Sequence, residues 1–207
     1  MPVPFGMLTA RMREFEGDYI LADNAWDELV WVWRRTEAPK ACKVEIVEGL
    51  ITVAPLSSVG HNLAAERVQR RLYDVIPEAW GVYQRLPVAV PARLGLYVPD
   101  LAVVASAALR AGDEQLIPAS GAELVGEITS RATAANDRTH KLAGYAEAGV
   151  PLYLLIDGPA PGGPTVTLFG EPRDGTYRVL HTGGVGIPVA LPEPFDCTLD
   201  TATLGLR

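Results

Sequence analysis

Apolar positions recur along this chain with two periods, and the switches between them mark out its elements. Over residues 23–36, Trp26, Leu29, Val30 and Trp33 return at helical spacing, with Asp23 placed to cap the helix and Pro39 to end it. Residues 43–53 alternate instead. Val44, Ile46, Ile51 and Val53 flank Glu48-Gly49, which predicts a β-hairpin turning at that pair. Helical spacing resumes over residues 60–76, where His61, Ala64, Val68, Leu72 and Val75 form the inner stripe. Pro77 stops that helix. Strands are predicted over residues 81–90, 97–104, 122–128 and 152–157, and a helix over 136–148 that Gly149 closes. Residues 165–169 and 177–181 read as a terminal hairpin, followed by a Pro-rich tail from Pro188 that lies against the domain. Residues 105–121 carry no clear period, and residues 1–22 read as a lead-in. Residues 23–207 are therefore expected to form a single domain. Its order of helices and strands predicts the α/β or α+β class, a central mixed β-sheet flanked by helices.

Composition narrows the possibilities. Apolar residues make up 48% of the chain, enough for a sizeable core. No apolar run approaches the roughly 20 residues of a membrane helix, and the first residues do not read as a secretory signal. Cys42 and Cys197 are the only cysteines and stand far apart, which suggests neither a disulfide framework nor a zinc site. A reducing cytoplasm is the expected compartment. The formal net charge of -7 argues against a general nucleic-acid coat but leaves room for an enzyme with acidic active-site groups and a local basic patch.

Candidate chemistry gathers at strand ends. Asp100 opens one predicted strand and Glu127 closes another, and on neighbouring central strands the two would converge. Carboxylates that close repel unless a cation lies between them, and their oxygens suit Mg²⁺ or Mn²⁺. Lys141 lies at the edge of the apolar face of the following helix, on a stripe with Arg138 and Tyr145, where its stem would reach the strand end. His61 stands near the start of its helix and could approach the same place. Glu45 lies in the first hairpin and could add a ligand. Solvent-facing strand ends and a solvated helix lysine would explain the same residues without chemistry. The chain shows no dinucleotide-binding glycine pattern, phosphate loop or serine nucleophile elbow.

Together these segments resemble the Uma-two restriction-endonuclease family, a branch of the PD-(D/E)XK nuclease superfamily. The resemblance runs through Glu45-Ile-Val-Glu-Gly49, Ala54-Pro-Leu-Ser-Ser-Val-Gly-His61, Val98-Pro-Asp100, Leu124-Val-Gly-Glu-Ile-Thr-Ser130, Asn136-Asp-Arg-Thr-His-Lys141 and Tyr145-Ala-Glu-Ala-Gly-Val150. It continues into Tyr153-Leu-Leu-Ile-Asp157. It implies metal-dependent hydrolysis of nucleic-acid phosphodiester bonds, DNA being the expected substrate, with Asp100 and Glu127 as metal ligands. Lys141 would contact the scissile phosphate or the attacking water. The superfamily lysine usually stands two residues after the glutamate, where this chain has Thr129. Lys141 matches the lysine this family carries in the next helix. Glu45 and His61 match further family positions. A basic strip of Arg67, Arg70, Arg71, Arg85, Arg93, Arg131 and Arg138 is expected to meet the phosphates, and a homodimer would suit a two-stranded substrate. The alternatives are a catalytically silent nucleic-acid-binding module and an oligomerising structural protein of the same fold.

Overall fold

Two mixed sheets hold most of the strands, and a separate antiparallel pair lies in the tail. The computed structural model describes residues 24–40, 42–55, 57–111 and 115–206. The lead-in over residues 1–22 and the cap expected of Asp23 lie outside them. Helix α1 (Ala25–Arg35) is capped by Asn24, whose side chain accepts from the Asp27 N–H at 3.0 Å. β1 (Lys43–Val47) and β2 (Leu50–Ala54) form the expected hairpin. Glu48 and Gly49 both take positive φ, 49° and 76°, the backbone a tight hairpin turn demands. Helix α2 (Val59–Tyr73) is capped by the Ser58 hydroxyl, which accepts from the His61 N–H at 3.2 Å. It ends three residues before the expected Ile76.

The strand expected over residues 81–90 is two, β3 (Trp80–Tyr83) and β4 (Val88–Val90), in different sheets. Arg85 at φ 58° turns the chain between them, and Pro87 has no N–H to extend a ladder. The strand expected over 97–104 divides likewise into β5 (Gly95–Tyr97) and β6 (Leu101–Ala105). The chain crosses from one sheet to the other through Val98, Pro99 and Asp100, so the aspartate sits at the crossing. The unassigned stretch after β6 holds a short helix α3 (Ser106–Ala111) and strand β7 (Ile117–Pro118).

The smaller sheet runs β2-β1-β5-β4-β7. The larger adds β8 (Ala122–Ile128), β9 (Leu152–Asp157), β10 (Thr165–Arg173) and β11 (Thr176–Gly184), in the order β11-β10-β9-β8-β6-β3. Its central pair, β8 and β9, is parallel. A parallel pair needs a crossover, and the helical segment after β8 supplies it.

Strand alternation sorts the core into layers. Leu101, Val103, Leu124, Leu154 and Ile156 face α2 and the tail. Ala102, Val104, Val125, Tyr153 and Leu155 face the smaller sheet and Tyr145 of the crossover helix. Ile46, Leu96 and Val98, on the far side of the smaller sheet, pack against Trp26, Leu29, Val30 and Trp33 of α1. The layers are thus helix, sheet, sheet, helix. Each fully buried Val, Leu or Ile contributes about 1.5–3 kcal/mol. The Pro-rich tail is part of the core: β12 (Val189–Leu191) and β13 (Cys197–Leu199) pair, and Phe195 and Leu204 bury beside α2. Among the described residues no helix is long and apolar enough to cross a membrane.

Candidate functional site

Polar side chains gather where the two sheets meet. Glu45 alternates with Ile46 on β1, so while Ile46 faces α1, Glu45 faces inward and is 3% exposed. Glu127 lies on β8 on the same face as Val125 and is 1% exposed. Asp100 stands at the sheet crossing, held at both oxygens: Oδ2 accepts from the Ile128 N–H at 2.8 Å, and Oδ1 lies 3.1 Å from His61 Nε2. Asp100, Glu127, Lys141, Glu45 and His61, five residues distant in sequence, therefore meet in one place.

The crossover helix reaches the site through an unusual turn. It begins as α4 (Ala134–Asn136), widens into a π-helical turn over Asp137–Lys141, and continues as α5 (Leu142–Glu147). A regular helix would align Arg138 with Lys141 and Tyr145, the stripe expected from sequence. A π turn holds more residues per turn, so the aligned set becomes Asp137, Lys141 and Tyr145. All three are buried. Arg138 swings aside and makes two hydrogen bonds to Asp157, at 2.7 and 2.8 Å. Asp157 also accepts from Thr129 Oγ1 at 2.8 Å. The position two residues after Glu127 is thus committed to a neighbouring polar pair.

Lys141 is enclosed. Its ammonium lies 2.8 Å from Glu45 Oε1, 2.9 Å from Glu127 Oε1 and 3.2 Å from Asp137 Oδ1, with 1% of the side chain exposed. Three carboxylates thus surround the ammonium, although Asp137 Oδ1 makes an ion pair with it and no hydrogen bond. The substrate contact expected of Lys141 would require it to leave a buried carboxylate. Burial works against its charge, but Glu127, Glu45 and Asp137 prevail and hold its pKa well above the usual lysine range.

A second lysine completes the cluster. Lys43 Nζ lies 3.8 Å from Glu45 Oε2, 3.8 Å from Asp100 Oδ1 and 3.7 Å from Glu127 Oε2. Sequence reading passed over both Lys43 and Asp137. The available signal was spacing: Lys43 is two residues before Glu45 on a strand, and Asp137 four before Lys141 on a helix. Tyr145 donates its O–H to Glu127 Oε1 at 2.8 Å. That oxygen is thus held twice, while buried Glu127 Oε2 has no hydrogen-bond partner.

The electrostatics follow from burial. Glu127 is pushed up to about 8 by desolvation and by Asp137 and Asp100, with Lys141 and Lys43 opposing. Burial also raises Asp137, against the pull of Lys141. Asp100 goes the other way. Burial alone would raise it, but the His61 hydrogen bond, Lys43 and the Ile128 amide hold it below the ordinary carboxylate range. Four carboxylates face two lysines, so with every carboxylate ionised the cluster carries two uncompensated negative charges.

The cluster opens on one side. A cleft of about 450 Å³ is lined by Lys43, His61, Asp100, Thr129 and Ser130. Arg131 is exposed in the loop beside it. The rest of the expected basic strip is dispersed. Arg93 is bonded to Glu48 and Arg70 to Glu66. Arg67, Arg70 and Arg71 line a different hollow, between α2 and the tail, with Asp74 and Asp200. Arg85 donates to the Cys42 carbonyl at 3.1 Å.

Metal binding requires donors of the right chemistry. Among the described residues no group of three or more His, Cys, Asp or Glu side chains stands close enough to clasp an ion as placed. Lys43 holds the middle, with one oxygen each of Glu45, Asp100 and Glu127 turned toward it. These are hard oxygen donors, one of them a buried oxygen without a hydrogen-bond partner, and with every carboxylate ionised the cluster is two positive charges short. Hard carboxylate oxygens are the donor type that divalent cations such as Mg²⁺ take.

A family model described as "Uma2: Putative restriction endonuclease" matches residues 32–202, a span containing every residue of the cluster. No curated protein matches the chain. Among solved structures, the crystal structure of "a putative nuclease belonging to DUF820" from Anabaena variabilis shares the fold, with a TM-score of 0.63 at 17% identity. The match covers 87% of this chain and 96% of that one.

Proposed function

We propose that this chain, which belongs to the Uma2 family, is a nuclease that hydrolyses DNA phosphodiester bonds with the help of Mg²⁺ or Mn²⁺. The observation that carries this reading is the buried carboxylate cluster at the sheet crossing, two charges short of balance when every carboxylate is ionised, and open to a cleft through Asp100. Burying uncompensated carboxylates is costly. A fold that keeps four of them around two lysines gains little stability from the arrangement, so its use lies in what it binds.

Glu45, Asp100 and Glu127 would hold the cation. Once bound, it would supply charge neutralisation at the phosphate and a water of lowered pKa. The protein's own groups prepare that site. The Ile128 amide and His61 fix the Asp100 carboxylate toward the cleft. Tyr145 and Lys141 pin Glu127 Oε1, leaving Oε2 to the cation. The Val98 N–H, at 2.7 Å, and Lys141 pin Glu45 Oε1 in the same way. Lys141 thus orders the ligands from behind. Arg131, exposed and next in the chain to cleft-lining Ser130, would meet a phosphate backbone entering the cleft.

The test is cleavage of supercoiled plasmid, linear duplex and single-stranded DNA, and of RNA, with Mg²⁺, Mn²⁺ or chelator. Metal-dependent nicking or linearisation of DNA supports the reading. Salt-dependent binding without cleavage under every condition replaces it with a silent binding module.

A further inference from the structure

Two lysines reach the carboxylates, and only one of them is free to meet a substrate. Lys141 is enclosed, ion-paired to Glu45, Glu127 and Asp137, and it borders only a small hollow of about 70 Å³ with no share in lining the cleft. Lys43 is the opposite case. Its three carboxylate partners lie at 3.7–3.8 Å, ion pairs beyond hydrogen-bond reach, and among the described residues it has no closer ion pair. Its side chain is 12% exposed, and among the described residues lining the cleft it is the only lysine or arginine. On its other side it borders a second hollow of about 440 Å³, with Trp33 and Val98. The side chain therefore stands in an opening, with room to shift and no hydrogen bond to break.

We propose that Lys43, and not Lys141, is the ammonium group that contacts the scissile phosphate. The inference rests on the nuclease reading above. Lys43 and Glu45 project from the same face of β1, so the strand that supplies a carboxylate from behind also supplies a cation in front. Drawn toward the phosphate, Lys43 vacates the point on which Glu45, Asp100 and Glu127 converge. The side chain thereby leaves that point to a metal ion and follows the substrate. During hydrolysis a water oxygen bonds to phosphorus as the bond from phosphorus to the leaving oxygen breaks. The water's proton passes to solvent, and the leaving oxygen takes one from solvent. Lys43 keeps its protons throughout and donates a hydrogen bond to a non-bridging oxygen, where negative charge builds. The resemblance set out above implies a lysine two residues after Glu127, and Thr129 holds that position. Lys43 fills the role from another strand, delivering the charge to the same side of the carboxylates.

Lys43→Met, Lys43→Arg and Lys141→Met separate the two lysines. Each is assayed for duplex DNA cleavage, Mn²⁺ affinity and thermal midpoint. Reductive methylation followed by mass spectrometry then reports each lysine's accessibility with and without a short DNA duplex. Lys43→Met is expected to lower turnover by about 10²–10³-fold while keeping the fold and Mn²⁺ binding, and Lys43→Arg to recover part of the loss. Lys43 should be methylated in the free protein and protected by the duplex, with Lys141 unmodified in both. Native turnover in Lys43→Met, or methylation of Lys43 that the duplex leaves unchanged, overturns the proposal. If the native chain cuts nothing but the duplex protects Lys43, the nuclease reading fails and the phosphate contact stands.

Discussion

Replacing Lys141 with Met tests the idea that this lysine acts as a buried counter-charge. Methionine keeps much of the stem's volume, so the change is mainly one of charge. It leaves Glu45, Glu127 and Asp137, which now lie 2.8, 2.9 and 3.2 Å from the ammonium, without their nearest cation. Removing one partner of a buried ion pair costs about 3–5 kcal/mol, and Lys141 is too enclosed for solvent to screen the loss. For a chain of this length that corresponds to a thermal midpoint lower by roughly 6–20 °C. It is also a large part of the 5–15 kcal/mol by which domains are typically stable. The loss has a defined pH dependence. Lowering the pH protonates Glu127 and Asp137, both raised by burial, and so relieves the repulsion, and the gap between variant and native protein should narrow in acid. Urea and thermal unfolding at pH 5.5 and 7.5, with chelator present, measure both effects. A midpoint within about 2 °C of native at pH 7.5, equivalent to less than roughly 1 kcal/mol, would refute the counter-charge role.

Glu127→Gln should flatten the dependence of stability on pH in metal-free protein. The native carboxyl, raised to about 8 by burial, keeps a proton that the unfolded chain releases near 4.5. Its contribution is therefore complete below about 4.5 and lost as pH rises through 8, at up to about 1.4 kcal/mol per pH unit in the interval. Urea midpoints at several pH values check this, and equal slopes in both proteins would contradict it. Arg131→Ala should weaken duplex binding and reduce the slope of log affinity against log salt by about 1. Arg138→Ala, whose native side chain is held by Asp157, should leave that slope unchanged, as salt titrations by fluorescence anisotropy would show.

The sequence carried much of the fold, because hydrophobic period reports local structure directly. The β1–β2 hairpin, α2, β8 and β9 stand close to where alternation and helical spacing put them. It did not carry the division into two sheets. Residues 81–90 and 97–104 each look like one strand, since apolar side chains are buried on both sides of the crossing. Only Arg85 at φ 58° and the breaks at Pro87 and Pro99 reveal the switch. Asp100, Glu127 and Lys141 could be named from resemblance and strand-end position. Their partners were harder to see. Asp137 was legible only as a helical neighbour four residues before Lys141, and no residue pattern announces the π turn that swings Arg138 off that stripe. Lys43 looked like an ordinary charged residue opening a strand, and its meaning depends on the second sheet folding over it.

The central claim is that the carboxylates at the sheet crossing form a cation-dependent hydrolytic site. Asp100 is the proposed ligand that opens on the cleft, so its removal is the sharpest test. The measurement is single-turnover cleavage of a duplex at saturating Mg²⁺ by native protein and by Asp100→Ala, both shown to be folded. Loss of a metal that stabilises the transition state by several kcal/mol should slow the variant by at least about 10²–10³-fold. Cleavage by Asp100→Ala at the native rate would contradict the account.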